Sequence, residues 1–314
     1  MLTLRVATVV VVMSVLGIRG TWGPGLQAPS SSSVQGQPLF TSFTDLVVLH
    51  VMVTDKKGAY VSDLPQEAFG IVEDGRPQAI SMFSGEDAPA TVGLLIDGSG
   101  SMQPVRDLVI AATGAFAESS NPEDELFALA FNENVRAALP PATPFTSDAA
   151  TLRAALTRTV ESRGKTALHD AVARGLEYVT QGKYDRRILI VISDGGDNAS
   201  STTFEDVVAR TRASNTLVFT IGLFDPVLRD ANPKRLREIA EPSGGEAFTP
   251  SGATDVAKVL QHIAHDIRHT YTIGYVPNAT RDGAFHRIRV VVKSPDGRPL
   301  VVRTRTGYLA ARRP

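Results

Sequence analysis

The sequence predicts a doubly wound α/β domain inserted into a small β-sandwich, and three observations support this prediction. Short apolar runs at residues 92–96 and 188–192 are typical of buried parallel strands, which are covered by helices on both faces. Segments with helical periodicity separate such runs along the chain. The two flanking regions contain only β-type segments broken by turn residues. The predicted class is therefore α/β, Rossmann-like in its central part.

The central domain is predicted to span residues 89–269. Further strands are expected near 126–131, 187–193, 216–222 and, in a shorter form, 246–249. Helices are expected near 103–118, 149–158, 167–182, 203–213 and 233–240. The last helix is the most clearly marked, because apolar residues recur there at helical spacing: Val256, Val259, Leu260, Ile263 and Ile267.

The flanks, residues 39–88 and 270–314, are each predicted to supply half of the β-sandwich. Strands are expected at 46–53 and 271–276. The tetrapeptide Asp-Gly-Arg-Pro occurs twice, and each copy is interpreted as a hairpin turn: between 69–73 and 78–83, and between 286–293 and 300–306. Because a lone hairpin is marginally stable at best, the two halves should pack together.

The first residues predict an export signal followed by a linker. Arg5 precedes a mostly apolar run at 6–18. That run is shorter than the roughly 20 residues of a membrane span and fits the apolar region of a signal peptide. We expect a signal peptide at 1–28 and a flexible, serine-rich linker at 29–38. The protein should then be exported, periplasmic or extracellular, without a membrane span; the alternative is a retained N-terminal anchor.

Composition excludes several classes of function. The 314 residues carry 32 basic and 33 acidic side chains, so there is no global attraction to nucleic acid. The absence of cysteine excludes disulfides, thiolate catalysis and zinc–thiolate sites. Positive charge is concentrated near the C-terminus on two predicted strands: Arg287, Arg289 and Lys293, then Arg303 and Arg305. This basic hairpin is interpreted either as a surface for an acidic partner, an anionic lipid or a polysaccharide, or as a solvated face partly paired with acids.

A candidate metal site follows the first buried run. Asp97, Ser99 and Ser101 occupy the loop at the carboxyl edge of the sheet, where open α/β folds bind ligands. One carboxylate and two hydroxyls provide the hard oxygen ligands that Mg²⁺ prefers. Taken alone, such a pentapeptide is more often a polar turn.

Two further loops make this signal specific. Asp97-Gly-Ser99-Gly-Ser101 resembles the Asp-x-Ser-x-Ser motif of the metal-ion-dependent adhesion site in von Willebrand factor type A domains. Thr166, after Gly164-Lys165, resembles the threonine loop of that family, and Asp194, after the run 188–192, resembles its aspartate loop. The resemblance covers roughly residues 90–268.

The resemblance implies a ligand set and a function. Ser99 and Ser101 would bind Mg²⁺ directly, Thr166 directly or through water, and Asp97 and Asp194 mostly through water; Mn²⁺ and Ca²⁺ are alternative ions. The open metal position would take an Asp or Glu carboxylate from a protein ligand. The expected function is thus a non-enzymatic adhesion module. The alternatives are a metal-assisted hydrolase and a scaffold in which the metal only orders the loops.

Other candidate residues receive structural interpretations. Gly164-Lys165-Thr166 is not a phosphate-binding loop, because Thr159 stands where that motif needs glycine. Asp197 is either a supporting residue of the metal site or, as we favour, a turn residue or the N-cap of the helix near Thr203. The histidines on the predicted helices are expected at solvated helix ends: His169, His262, His265 and His269.

Overall fold

The computed structural model describes residues 46–85, 87–224, 232–277 and 282–310. The predicted signal peptide and linker lie outside the described residues. The strands are β1 Val47–Asp55, β2 Phe69–Glu73, β3 Arg76–Gln78, β4 Ile80–Ser84, β5 Thr91–Asp97, β6 Glu125–Phe131, β7 Val135–Ala137, β8 Arg187–Ser193, β9 Thr216–Gly222, β10 Ala247–Phe248, β11 Thr270–Tyr275, β12 Phe285–Val292, β13 Leu300–Arg303 and β14 Gly307–Leu309. The α-helices are α1 Arg106–Ser119, α2 Ala149–Thr159, α3 Leu168–Tyr178, α4 Phe204–Ala213, α5 Pro233–Ala240 and α6 Val256–Arg268.

The central sheet has the strand order β10-β9-β8-β5-β6-β7. Its strands are parallel except β7, which is antiparallel to β6. Every residue of β5 is buried, as a strand covered on both faces requires. Leu94 and Ile96 point into an apolar core with α1, α2 and α6, whereas Leu95 points into a second core with α3, α4 and α5. The predicted doubly wound α/β fold is confirmed.

Two four-stranded antiparallel sheets form the β-sandwich, in the orders β13-β1-β11-β4 and β14-β12-β2-β3. Both contain strands from before and after the α/β domain, since β1 pairs with β11 and β2 pairs with β12. Leu49 and Ile273 of the first sheet share a core with Ile71 and Ile288 of the second. The limits drawn at residues 89 and 269 stay a prediction.

The first predicted hairpin is partly wrong. Asp74 and Gly75 do form a tight turn, with φ of +46° and +83°, and β2 pairs with β3 across it. The strand predicted at 78–83 is nevertheless divided, because β3 ends at Gln78 and β4 crosses to the other sheet to pair with β11. A two-residue turn fixes the local pairing but not how far it extends.

The second predicted hairpin, 286–293 with 300–306, is wrong. β12 pairs with β2 and β14, whereas β13 pairs with β1 in the opposite sheet. The loop containing Gly297, at φ +72°, therefore connects the two sheets. An alternating strand has one buried face wherever it lies, so its pattern does not specify its neighbour.

The predicted basic surface is reduced to one strand. Arg287, Arg289 and Lys293 are exposed. Arg303, in contrast, forms ion pairs with Asp266 and Glu246, and Arg305 is only 4% exposed. Arg303 is thus neutralised by acids, and Arg305 is buried and donates to the Ser214 carbonyl and Asn215 Oδ1, so neither offers a basic face to an acidic partner. Within the described ranges, no helix is long and apolar enough to cross a membrane.

Candidate metal centre

The first loop of the candidate site is fixed by its own side chains. Asp97 is the last residue of β5 and is 2% exposed. Its Oδ1 accepts a hydrogen bond from the Ser99 amide at 2.8 Å, which turns the chain directly after the strand. The hydroxyl oxygens of Ser99 and Ser101 lie 3.0 Å apart. One carboxylate and two hydroxyls therefore converge at the carboxyl edge of the sheet.

The second loop is hydrogen-bonded to the first through the backbone. The Gly100 amide donates to the Gly164 carbonyl at 3.3 Å, and the Arg163 amide donates to the Gly98 carbonyl at 2.9 Å. Gly164 has φ +87°, a conformation that side chains disfavour. Two residues later, Thr166 is buried at 5% exposure. The predicted threonine loop thus lies against the predicted serine loop.

The third loop is connected to both others. Ser193, the last residue of β8, donates its hydroxyl to Asp97 Oδ2 at 2.6 Å. The Thr166 amide donates to Asn198 Oδ1 at 2.9 Å, and the Asn198 amide donates back to the Thr166 carbonyl at 2.9 Å. Asp194 lies between these two anchors and is 5% exposed. The three loops form a closed ring of hydrogen bonds.

Gly195 shows how closely the third loop is packed. Its φ is +78°, and a Cβ atom at this position would lie 2.5 Å from the Asn232 carbonyl oxygen. The Asn232 amide also donates to the Asp194 carbonyl at 3.0 Å. Glycine is therefore required next to Asp194, and the backbone of the aspartate loop is held on both sides.

The electrostatics of the site favour a cation. Burial raises the pKa of Asp97 to about 6 against the lowering effect of its hydrogen bonds, and nearby Asp194 raises it further. Among the described residues, neither carboxylate forms an ion pair with Lys, Arg or His. Two acids buried at one edge without a basic partner fit a divalent ion, which would neutralise both.

The structure contradicts the N-cap interpretation of Asp197 and the solvated interpretation of His169. Thr203 caps its own helix, accepting from the Asp206 amide at 3.1 Å, so Asp197 is not that N-cap. Asp197 instead accepts from the His169 amide at 3.1 Å and the Ser200 hydroxyl at 2.5 Å, which ties the third loop to α3. His169 is 5% exposed rather than solvated, because its ring packs between Asp197 and Arg235.

Ser193 and Asn198 were not predicted from the sequence as contributors to this site. Each forms hydrogen bonds with a predicted ligand residue. Ser193 donates to the Asp97 carboxylate, and Asn198 bonds to both the backbone amide and the backbone carbonyl of Thr166. The only signal for Ser193 is its position between the apolar run and Asp194. The role of Asn198 depends on the distance between two loops, which its neighbours in sequence do not indicate.

A cleft of about 120 Å³ opens beside the site. Ser101 and Asp194 form its polar wall, and Leu223, Phe224 and Pro250 contribute apolar surface. The candidate metal centre is therefore next to a space that one medium-sized side chain could fill, since a cavity of roughly 150 Å³ accommodates benzene.

A doubly wound sheet with acids and hydroxyls at its carboxyl edge defines a class of ligand-binding α/β domains. The family model of the von Willebrand factor type A domain matches residues 92–264, more than half of the chain. The chain belongs to this family. A search of curated proteins finds no significant match.

The chain is also similar to solved structures. A von Willebrand factor type A protein from Catenulispora acidiphila has a TM-score of 0.51 at 14% identity, over 85% of this chain and 75% of that one. Proximal thread matrix protein 1 from the mussel byssus, with a zinc-occupied MIDAS motif, has a TM-score of 0.49 at 16% identity, over 57% of this chain and 48% of that one. The vWF domain of the type V pili tip protein Mfa5 from Porphyromonas gingivalis has a TM-score of 0.45 at 14% identity, over 59% and 96%. The chain spans about half the length of the mussel protein, and at 14% identity the likeness to the Catenulispora acidiphila structure concerns the fold alone.

Proposed function

We propose that the protein is an exported, non-enzymatic adhesion module that captures a carboxylate of a protein ligand through a divalent ion, Mg²⁺ in the first instance. Ser99, Ser101 and Thr166 would supply hydroxyl ligands, and Asp97 and Asp194 would supply the negative charge. A bound ion would add an electrophilic position that attracts an incoming Asp or Glu side chain.

The closed ring of hydrogen bonds among the three loops is the observation that supports this proposal most. Three segments separated by about 30 to 70 residues along the chain are connected by the Ser193–Asp97, Gly100–Gly164 and Asn198–Thr166 bonds. Such cross-linking holds the oxygen atoms in position before a ligand arrives, which reduces the entropic cost of binding. The cleft beside Ser101 and Asp194 leaves room for the residue next to the captured carboxylate.

Metal binding is tested by calorimetry with Mg²⁺. Ser99→Ala should weaken binding by about tenfold or more, because it removes one ligand oxygen without changing the core. Ser119→Ala is the matched control, since this partly buried serine only donates to the Phe116 carbonyl at the end of α1. If Ser99→Ala bound Mg²⁺ as tightly as the wild type, the ligand assignment would be wrong.

Ligand capture is tested separately, by pulldown from exported proteins in Mg²⁺ and in chelator. We expect the chelator to abolish capture while the melting temperature changes little. A loss of fold in chelator would support the scaffold interpretation instead. Sustained turnover of generic ester or phosphate substrates, lost in Asp97→Ala, would support the hydrolase.

A further inference from the structure

A second group of metal-ligating side chains lies in the β-sandwich, outside the site described above. Glu73 is the last residue of β2, Asp74 begins the tight turn that follows, and His286 lies near the start of β12. One potential ligand atom from each of the three lies within 4.8 Å of the others. Glu73 pairs with Ile288 at the end of the β2–β12 ladder, and the Asp74 amide donates to the Arg287 carbonyl at 2.9 Å, so backbone hydrogen bonds hold the three residues close together.

The imidazole of His286 is oriented for binding through Nδ1. Its Nε2 lies 3.2 Å from Asp282 Oδ1, so that nitrogen can donate to a carboxylate and leave Nδ1 for a metal ion. Nδ1 lies 2.7 Å from Asp74 Oδ2 and 3.5 Å from Glu73 Oε1. Metal-binding histidines commonly donate their other ring N–H to a carboxylate in this way.

The buried carboxylate of Glu73 is the second observation that indicates a ligand. Glu73 is 3% exposed, and its Oε1 accepts from the Tyr308 hydroxyl at 3.2 Å. Its Oε2 is buried and has no partner at hydrogen-bond distance, although the Tyr275 hydroxyl, likewise buried without a partner at that distance, lies near the Glu73 carboxylate. A carboxylate oxygen buried without a donor is costly unless a cation neutralises it.

We propose that Glu73, Asp74 and His286 bind a divalent transition-metal ion of the Zn²⁺ class. Two carboxylates and one imidazole are a ligand set that such ions accept, and a three-residue site leaves a further position for water. Asp282 positions the histidine ring. The bound ion would replace the proton on Nδ1 and join the β2–β3 turn to β12, which makes this site a clamp within the sandwich. It does not depend on the adhesion site.

The competing explanation is an ion pair. Burial lowers the pKa of His286, but the hydrogen bonds to Asp74 and Asp282 raise it more, so that the net shift is upward. A protonated imidazole could then neutralise the acids with no metal present. The two explanations differ in whether the protein, free of any affinity tag, takes up Zn²⁺ at this location.

Zn²⁺ titration by calorimetry in a set of four proteins tests the proposal: wild type, Ser99→Ala, Asp74→Asn and the double variant. Asn is suited to position 74, because it tolerates the positive φ and keeps an acceptor for the Arg287 amide. We expect one Zn²⁺ site that is weakened about tenfold or more by Asp74→Asn and is unaffected by Ser99→Ala. If the proposed adhesion site does not bind metal, only the comparison of wild type with Ser99→Ala would change, and the effect of Asp74→Asn would remain.

The chain offers a matched control in its second Asp-Gly-Arg-Pro turn. Asp296→Asn changes the same residue of the same tetrapeptide. Among the described residues, the hydrogen-bond partners of the Asp296 carboxylate are Ser294 and Arg298. It should leave Zn²⁺ binding unchanged. His286→Phe, which keeps ring packing on Tyr308, should abolish the site. The proposal would be overturned if Asp74→Asn and His286→Phe both left Zn²⁺ uptake unchanged. It would also be overturned if Ser99→Ala abolished all Zn²⁺ uptake. The ion pair would then explain the cluster.

Discussion

The buried charged side chains at the two edges of the central sheet differ in their partners. At the carboxyl edge, Asp97 and Asp194 are buried with hydrogen bonds from Ser99, Ser193 and Gly196 but without a basic partner among the described residues. At the amino edge, Asp266 forms an ion pair with Arg303, and the buried Arg186 donates to several carbonyl and hydroxyl oxygens. The two acids at the carboxyl edge therefore lack a counter-charge that a bound cation would supply, whereas Asp266 at the amino edge has one within the protein.

Arg186, directly before β8, is the main example at the amino edge. It is 3% exposed and donates to five groups between the α/β domain and the sandwich: Gly85 O, Ala88 O, Ile267 O, Thr270 O and Thr272 Oγ1. Nearby, Asp266 is paired with Arg303 at 2.6 Å and accepts from Tyr60. Charge at this edge fastens the sandwich to the base of the α/β domain.

The largest effect on stability should come from a substitution at the amino edge. Arg186→Met removes donors from several buried carbonyls and should lower the free energy of unfolding by about 3–5 kcal/mol, measured by urea denaturation. Mg²⁺ affinity of the folded variant should not change, because the site lies at the opposite edge. Arg187→Met is the control and should cost much less, since Arg187 Nε has no hydrogen-bond partner to lose. Equal losses in both variants would contradict the role given to Arg186.

A pH-dependent effect should come from His50 at the same edge. Burial lowers the pKa of His50 from 6.5 to about 3, opposed by the hydrogen bond to Asn215 and assisted by Arg186, Arg305 and Arg187. The unfolded chain therefore binds a proton that the folded protein excludes. The contribution of His50 to stability is complete above about pH 6.5 and falls by about 1.4 kcal/mol per pH unit below it, down to about pH 3.

The measurement is urea unfolding of wild type and His50→Gln at several pH values. Glutamine can still donate to the Asn215 carbonyl but does not titrate. Between about pH 6.5 and 4.5 the wild type should lose about 3 kcal/mol more than the variant. Parallel curves for the two proteins would show that His50 is not held neutral. Asp97 and Asp124, whose pKa values burial raises to about 6, act in the opposite direction in both proteins and cancel in the comparison.

The smallest effect on stability should come from a substitution at the carboxyl edge. Asp97→Asn removes a buried, unpaired charge while keeping an acceptor for the Ser99 amide. In chelator near neutral pH the variant should therefore be more stable than the wild type, by about 1–3 kcal/mol. It should also lose the stabilisation that Mg²⁺ gives the wild type, measured as the shift in melting temperature on adding Mg²⁺. A variant less stable than the wild type in chelator would show that the carboxylate is not under electrostatic strain.

Much of the α/β domain is predictable because its signals are local. The run Val92–Ile96 is buried on both sides, and α6 has an apolar stripe at helical spacing, so each segment specifies its own environment. The position of the candidate site follows from the same logic, since Asp97 ends one parallel strand and Asp194 directly follows another, and the ends of these strands meet at one edge. The β-sandwich is less predictable, as the two copies of Asp-Gly-Arg-Pro show: one closes a hairpin and the other connects two sheets.

The sequence by itself determined the order of the main strands and helices of the α/β domain, the family, and which residues stand at the carboxyl edge, because periodicity and short motifs act over a few residues. The tertiary structure alone decided which strands pair in the sandwich, how Ser193 and Asn198 join the three loops, and why Arg305 is buried rather than on a basic face. Each of these depends on the free energy of contacts between segments distant in the chain, and no local pattern records the partner.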